Sequence, residues 1–126
     1  MALWQGKSRR TPTGGRFRLS RGKRKFEIGS EKQFTRIGVT SLKKYRTRGD
    51  NVKVRMLVAE YANVLDKTDN STKKTKIVRV ASNPANPNYV QRSIINKGAT
   101  IETEAGMALV TSRPGQDGTI NAILIQ

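Results

Sequence analysis

The sequence predicts an all-β protein with a small antiparallel, barrel-like body of about six strands. A long, basic and mostly irregular N-terminal extension precedes this body. Three observations support the prediction. Several short segments after residue 52 are rich in alternating or β-branched apolar residues, turn-forming residues separate them about every 8 to 12 positions, and the first fifty residues are basic without a sustained hydrophobic period. The 126 residues suffice for one hydrophobic core.

Residues 1–42 make up the predicted extension, and residues 43–126 the predicted barrel domain. Pro12, Gly14 and Gly15 are among the residues that interrupt every candidate element in the first part of the extension. Such a segment buries too little apolar surface to offset an ordering cost of about 1 to 2 kcal/mol per residue. We therefore expect a largely irregular arm that a polyanionic partner orders.

The body begins at residue 52, where apolar residues at 52, 54, 56 and 58 alternate with Lys53 and Arg55. This period of two predicts a half-buried strand. After Val58 the apolar positions change parity, which predicts a bend or bulge. The polar segment 66–74 then predicts a hairpin turn that leads into a strand over residues 75–81.

The rest of the body alternates turns with short strands. The two prolines within residues 83–88 predict a loop, and residues 89–93 are expected to form one helical turn, the only helix in the chain. The last strands are predicted near residues 100–104, 107–111 and 119–125. Turns at 105–106 and 113–118 separate them, so the chain is expected to end in a meander.

The charge of the chain is large and unevenly distributed. Twenty-five Lys and Arg against nine Asp and Glu give a net charge of +16, and residues 1–50 alone hold fifteen basic and three acidic residues, a net of +12. Self-repulsion of this size predicts a polyanionic partner, with nucleic acid as the first candidate. A solvated basic face, or a nuclear-import signal at residues 21–25, is the alternative, but the charge exceeds what solubility needs.

The predicted RNA-binding residues are mainly cations that neutralise phosphates. In the extension they are Trp4, Lys7, Arg9, Arg10, Gly14, Gly15, Arg16, Arg18, Arg21, Lys23, Arg24, Lys25 and Arg36. In the body they are Lys43, Lys44, Arg46, Arg48, Lys53, Arg55 and Arg113. The two glycines would let the backbone approach a phosphate. The aromatic residues among these cations would either stack on exposed bases or pin the extension to the body; they are Trp4, Phe17, Phe26, Phe34 and Tyr45.

Several function classes are excluded or disfavoured. The chain has no cysteine and no histidine, which removes disulfides, thiolate metal sites and imidazole catalysis. Gly6-Lys7-Ser8 lacks the first glycine of a phosphate-binding loop. Glu102 and Glu104 share one strand face and would suit a metal-dependent nuclease, but a solvated outer face is favoured because no partner constellation accompanies them.

We therefore predict that the chain is not an enzyme and takes no cofactor, metal or small-molecule substrate. The apolar run before the first charged residue, Lys7, consists of Met1, Ala2, Leu3 and Trp4, which is too short for the core of a secretion signal. No later segment is long and apolar enough to span a membrane. We expect a cytoplasmic protein without membrane contact.

Four segments resemble a known family. They are Trp4-Gln5-Gly6-Lys7-Ser8-Arg9-Arg10-Thr11-Pro12-Thr13-Gly14-Gly15-Arg16, residues 51–55, residues 94–99 and, most specifically, Thr111-Ser112-Arg113-Pro114-Gly115-Gln116-Asp117-Gly118. The chain resembles, over essentially its whole length, small-subunit ribosomal protein eight of the eukaryotic and archaeal type, the S-eight-e family, and its compact size resembles the archaeal form.

This resemblance implies a barrel-like body in the small ribosomal subunit and an N-terminal extension that runs through ribosomal RNA. The implied partners are small-subunit ribosomal RNA and neighbouring ribosomal proteins. A ribosome-biogenesis factor of related fold and a chromatin protein that binds duplex DNA remain as alternatives. Competition between a ribosomal RNA fragment and duplex DNA would separate RNA binding from DNA binding.

Overall fold

The computed structural model describes residues 3–125, so Met1, Ala2 and Gln126 lie outside the described residues. Met1 and Ala2 are the first two of the four residues considered above as the core of a secretion signal. The chain forms two compact units, residues 1–32 and 33–126. Each is described by itself. Strands dominate the described residues, and the α-helices are single turns, which confirms the all-β prediction.

The first unit contains little regular structure. Its two short strands, β1 (Leu3–Trp4) and β2 (Ile28–Gly29), pair in antiparallel orientation. A 3-10 turn at Lys25–Glu27 precedes β2. Arg10 and Arg16 form an isolated antiparallel bridge between these elements. Pairing of the two ends therefore makes the first unit a closed loop of chain.

The second unit consists of short strands and two helical turns. The strands are β3 (Thr35–Ile37), β4 (Ser41–Arg46), β5 (Val52–Ala59), β6 (Tyr61–Asp66), β7 (Ser71–Ser82), β8 (Ile94–Ile95), β9 (Thr100–Thr103), β10 (Gly106–Val110) and β11 (Asn121–Leu124). The helical turns are α1 (Asn88–Gln91) and α2 (Pro114–Asp117). A 3-10 turn at Arg48–Asp50 connects β4 to β5.

Five of these strands close into a barrel in the order β10-β11-β6-β7-β9. Four of the strand pairs are antiparallel, and the barrel is completed by the parallel pair β6 and β11. The remaining strands form a second sheet in the order β4-β5-β3-β8, in which β3 and β5 run parallel. Closure removes exposed strand edges, which would otherwise pair with other chains.

Most of the predicted strands are present. The change of parity after Val58 is a real break, because β5 ends at Ala59, β6 begins at Tyr61, and the two strands belong to different sheets. The predicted hairpin is formed by β6 and β7, and β9, β10 and β11 form the predicted closing segments. β7 is longer than predicted and carries irregularities in its pairing with β9.

The prediction of a single helix is wrong. The expected turn near residues 89–93 is present as α1, but α2 forms where only a turn was predicted. Proline occupies the first position of α2, where a backbone N–H would have no acceptor within the helix. The Asp117 carboxylate accepts a 2.8 Å hydrogen bond from the backbone N–H of Arg113. Gly118, at φ 73°, ends the helix in the left-handed region.

The core fills a narrow barrel. Side chains from all five barrel strands lie inside: Ala62, Val64, Ile77, Val80, Ile101, Ala108, Val110 and Ala122. Five strands enclose little space, so alanine on β6, β10 and β11 leaves room for the branched side chains opposite. Ile101 is 0 % exposed and is among the largest fully buried side chains.

Truncation of Ile101 to alanine is expected to destabilise the protein by about 2 to 5 kcal/mol, since it removes transfer free energy and leaves a cavity in a closed barrel. Val78→Ala is the matched control, because Val78 is 57 % exposed on β7; its effect is expected to stay within about 0.5 kcal/mol. Denaturant unfolding of the full chain measures both free energies. Equal losses for the two variants would contradict the assigned core.

Candidate nucleic-acid interface

In the first unit, residues 9–17 form a short hairpin. Its turn is fixed by the Thr11 backbone N–H, which donates to the Gly15 carbonyl at 2.9 Å, and by the Gly14 N–H, which donates to the Thr11 carbonyl at 3.1 Å. Gly14 has φ +87° and nothing lies within 4 Å of a Cβ placed there, so backbone conformation, rather than packing, requires glycine. The turn exposes Arg10 and Arg16 on its two arms.

The half-buried Trp4 ring is the centre of a cationic cluster. The Arg9 guanidinium lies 5.6 Å and the Lys23 ammonium 5.7 Å from the ring centroid. The indole N–H donates to the Lys7 carbonyl at 3.0 Å. A Cβ at position 6 would clash with the Trp4 ring, so the position beside the ring requires glycine. The cluster joins predicted RNA-binding residues that are far apart in sequence.

Arg46 lies near Asp50, with its Nε 4.0 Å from a carboxylate oxygen, but Arg21 is bound more closely to an acidic partner. Its guanidinium binds both carboxylate oxygens of Glu27, and the backbone N–H of Arg24 donates to the same carboxylate at 3.1 Å. The Arg21 hydrogen bond is the main cause that lowers the pKa of Glu27. At neutral pH the charge of Arg21 is therefore compensated. Lys25, in the same 3-10 turn as Glu27, is also exposed.

In the second unit, the β4–β5 hairpin brings four predicted positions onto one face. Lys43 pairs with Arg55, and Tyr45 pairs with Lys53, so the four side chains lie on the same side of the sheet. We call this set the Tyr45 face. The Lys43 ammonium lies 5.3 Å and the Arg55 guanidinium 4.8 Å from the centroid of the half-buried Tyr45 ring. An aromatic ring between two cations suits nucleic-acid phosphates and bases together.

The other predicted cations of this unit are spread more widely. Lys44 and Arg46 alternate with the Tyr45 face along β4 and are exposed, and Arg48 lies in the connecting 3-10 turn. Arg36 is exposed on β3 in the same four-stranded sheet. Arg113 immediately precedes α2 and is exposed. The structure thus places most of these cations on one sheet, with Arg113 on a separate element.

The five predicted aromatic residues have different environments. The Phe34 ring packs against Tyr89 at a centroid distance of 5.5 Å, and the Arg92 guanidinium lies 5.8 Å from Phe34. In the first unit, Phe26 is 84 % and Phe17 47 % exposed. Phe34 therefore has a packing role within the body, whereas Phe26 and Phe17 present ring surface to solvent.

Sequence reasoning missed a second basic and aromatic surface. On the outside of the barrel, Tyr61 pairs with Lys76 and Asn63 pairs with Lys74, and these four side chains form the Tyr61 face. The Lys74 ammonium lies 4.7 Å from the Tyr61 ring centroid. Residues 66–74 were interpreted as a turn, although the alternation of Lys74 and Lys76 signals an exposed strand face. Tyr61 joins these lysines only through the register of β6 against β7, which no local sequence pattern shows.

Glu102, the candidate acid of a nuclease, is bound to Arg79 on the neighbouring strand β7. Within residues 3–125 no group of three or more acidic, histidine or cysteine side chains is arranged to hold a metal ion. The carboxylate therefore has a structural partner. The described part of the chain also contains no helix that is long and apolar enough to span a membrane.

The chain is similar to known proteins over nearly its whole length. A family model described as Ribosomal protein S8e matches residues 4–125. The small ribosomal subunit protein eS8 of Methanocorpusculum labreanum is 56% identical over 124 residues, which cover 98% of this chain and 99% of that protein. The same-named protein of Methanoregula boonei is 53% identical over 123 residues, covering 98% of each chain.

A more divergent relative is similar over the same part of the chain. The small ribosomal subunit protein eS8 of Picrophilus torridus is 48% identical over 125 residues, covering 99% of this chain and 100% of its own. These archaeal relatives and the family model both cover the first unit and the barrel. The chain belongs to the ribosomal protein S8e family.

Proposed function

We propose that this chain is a structural protein of the small ribosomal subunit, with a role in translation in the cytoplasm. The observation that carries the proposal is the match over nearly the full length of the chain to relatives named as small ribosomal subunit proteins. Its role is to bind and stabilise small-subunit ribosomal RNA beside neighbouring ribosomal proteins. A net charge of +16 supports a polyanionic partner.

The RNA-binding part of this proposal comprises a basic extension, residues 1–42, and the cations at the start of the barrel domain, residues 43–126. Phosphate contacts are assigned to the exposed arginines of the 9–17 hairpin and to Lys23, Arg24 and Lys25. Arg21 contributes less, because Glu27 already compensates its charge. The backbone around Gly14 is open on the side where a Cβ would lie, which leaves room for a phosphate.

The Tyr45 face adds a second kind of contact. Lys43 and Arg55 are held near the ring before RNA binds, so fewer rotamers are lost when they meet phosphates. The ring itself offers a surface on which an unstacked base can lie. The Tyr61 face extends the proposed RNA surface onto the barrel with one cation, Lys74, beside its ring, whereas the Lys76 ammonium lies 3.7 Å from a carboxylate oxygen of Glu60.

Sedimentation tests the proposed function directly. A tagged full-length chain expressed in an archaeal host is expected to sediment with small ribosomal subunits, and the purified chain is expected to prefer a small-subunit ribosomal RNA fragment over duplex DNA in competition. Free sedimentation would instead favour a biogenesis factor. Preference for duplex DNA would favour a chromatin protein.

The salt dependence of RNA affinity is expected to report the hairpin cations. Replacement of Arg9, Arg10 and Arg16 by glutamine should reduce the slope of log affinity against log salt by about 2 to 3, because each phosphate contact contributes about 0.7 to 0.9. A control with Lys67, Arg92 and Lys97 replaced by glutamine removes the same charge elsewhere. It should change the slope by less than the contribution of one phosphate contact. Equal slopes for the two triple variants would contradict a role for the hairpin.

Removal of the Tyr45 ring is expected to weaken RNA binding by about 1 to 3 kcal/mol in Tyr45→Leu, the range for one base stacked on an aromatic side chain. Tyr45→Phe keeps the ring and should retain the affinity of the parent chain. Fluorescence anisotropy with a labelled ribosomal RNA fragment measures both variants. If phenylalanine weakens binding as much as leucine does, the hydroxyl rather than the ring makes the contact.

A further inference from the structure

The strands β10 and β11 are apolar on both faces. β10 contains the run Met107-Ala108-Leu109-Val110, and Ala122, Ile123 and Leu124 in β11 continue into Ile125. Antiparallel strands with one solvated face normally alternate apolar with polar residues, whereas continuous apolar runs are typical of strands covered on both sides. Here Ala108, Val110 and Ala122 fill the barrel, so their neighbours must point outward.

Strand register joins these outward side chains into one patch. Leu109 pairs with Ile123, and Ile123 pairs with Leu65 on β6, so three apolar residues lie side by side across three strands. The backbone N–H of Ile125 donates to the carbonyl of Met107 at 2.8 Å, which adds these two residues at the end of the row. We call these five residues the outer apolar patch. Met107, Leu109 and Ile125 are 38%, 40% and 47% exposed.

The charge around the patch argues against RNA. Residues 97–126 contain two basic and three acidic residues, a net of −1 in a chain of +16. Glu102 pairs with Met107 across β9 and β10, and the exposed Glu104 follows it along the chain. Arg79 compensates Glu102, but the exposed Glu104 would repel RNA phosphates, and β10 and β11 carry no lysine or arginine that could bind them.

The same charges argue against a second copy of the chain. A symmetric dimer through this patch would place two chains of +16 against each other, and their net charges would repel. A protein whose apolar surface is bordered by lysine or arginine would instead complement both the aliphatic centre and the exposed Glu104.

We propose that the outer apolar patch docks a second protein of the small subunit, one that presents apolar side chains with a basic margin. This inference rests on the proposed function and specifies which surface meets protein instead of RNA. Ile123 and the exposed Leu109 are the anchors, because Ile123 lies between Leu109 and Leu65 and Leu109 lies between Ile123 and Thr100 of β9. The Tyr45 face remains for RNA.

Site-specific photo-crosslinking tests the proposal in assembled subunits. Benzoylphenylalanine replaces Leu109 in the full chain, and the irradiated small subunits are isolated. The expected adduct contains a second, different polypeptide, survives ribonuclease and disappears with protease. The same crosslinker at Val78, which is 57 % exposed on β7 outside the patch, is expected to give no such adduct.

An adduct with RNA, an adduct with a second copy of the chain, or the absence of a protein adduct at position 109 would each overturn the proposal. Failure of the unmodified chain to sediment with small subunits is a distinct result, since it removes the proposed function and this inference together. A chain that enters subunits without a protein adduct removes the inference alone.

A charge substitution provides a second measurement. Leu109→Lys is expected to reduce occupancy in small subunits at least about tenfold in competition with the unmodified chain, a loss typical of a central interface anchor. Its affinity for an isolated ribosomal RNA fragment should not fall. Val78→Lys carries the same charge and should keep full occupancy. Denaturant unfolding of both variants checks that the barrel is intact, and equal occupancy of the two folded variants would contradict the assignment.

Discussion

The parallel pairing of β6 with β11 is the constraint on which the surfaces of the barrel depend. It closes the sheet and fixes Asn63 opposite Asn121 and Leu65 opposite Ile123. Since successive strand residues alternate between interior and exterior, a core that requires Ala62 and Val64 inside leaves Tyr61 and Leu65 outside. A shift of the strand register by one residue would exchange the interior and exterior side chains. The packing of the interior therefore determines what the exterior presents.

The exterior that results is divided by charge. The Tyr45 face and the Tyr61 face carry lysine or arginine beside a tyrosine ring, whereas the outer apolar patch lies in the part of the chain with a net charge of −1. In the ribosome, phosphates would compensate the cations and relieve their mutual repulsion. The apolar patch gains nothing from phosphates, so removal of its side chains from water requires another apolar surface.

The sequence predicted those features that depend on local pattern. The alternation from Val52 to Val58 and the later apolar segments identified β5 and the barrel strands. The basic extension, inferred from the charge distribution, stays a prediction. β3 has three residues, too few to show a period, and it is held by pairing with β5 and β8. α2 is one turn whose cap depends on the Asp117 carboxylate. Its geometry is local, but its sequence is equally typical of a turn.

The candidate site shows the same limit more clearly. The cations of the extension could be named from the sequence. The acidic partner that compensates Arg21 could not, because Glu27 is six positions away in a segment without a hydrophobic period. Tyr61 and Lys74 meet only through the β6–β7 register, and the outer apolar patch needs two registers at once. Ionic contacts weaken as salt rises, whereas apolar contacts do not. The two kinds of surface would therefore allow the proposed RNA binding and the proposed protein docking to respond independently to the ionic conditions of the cell.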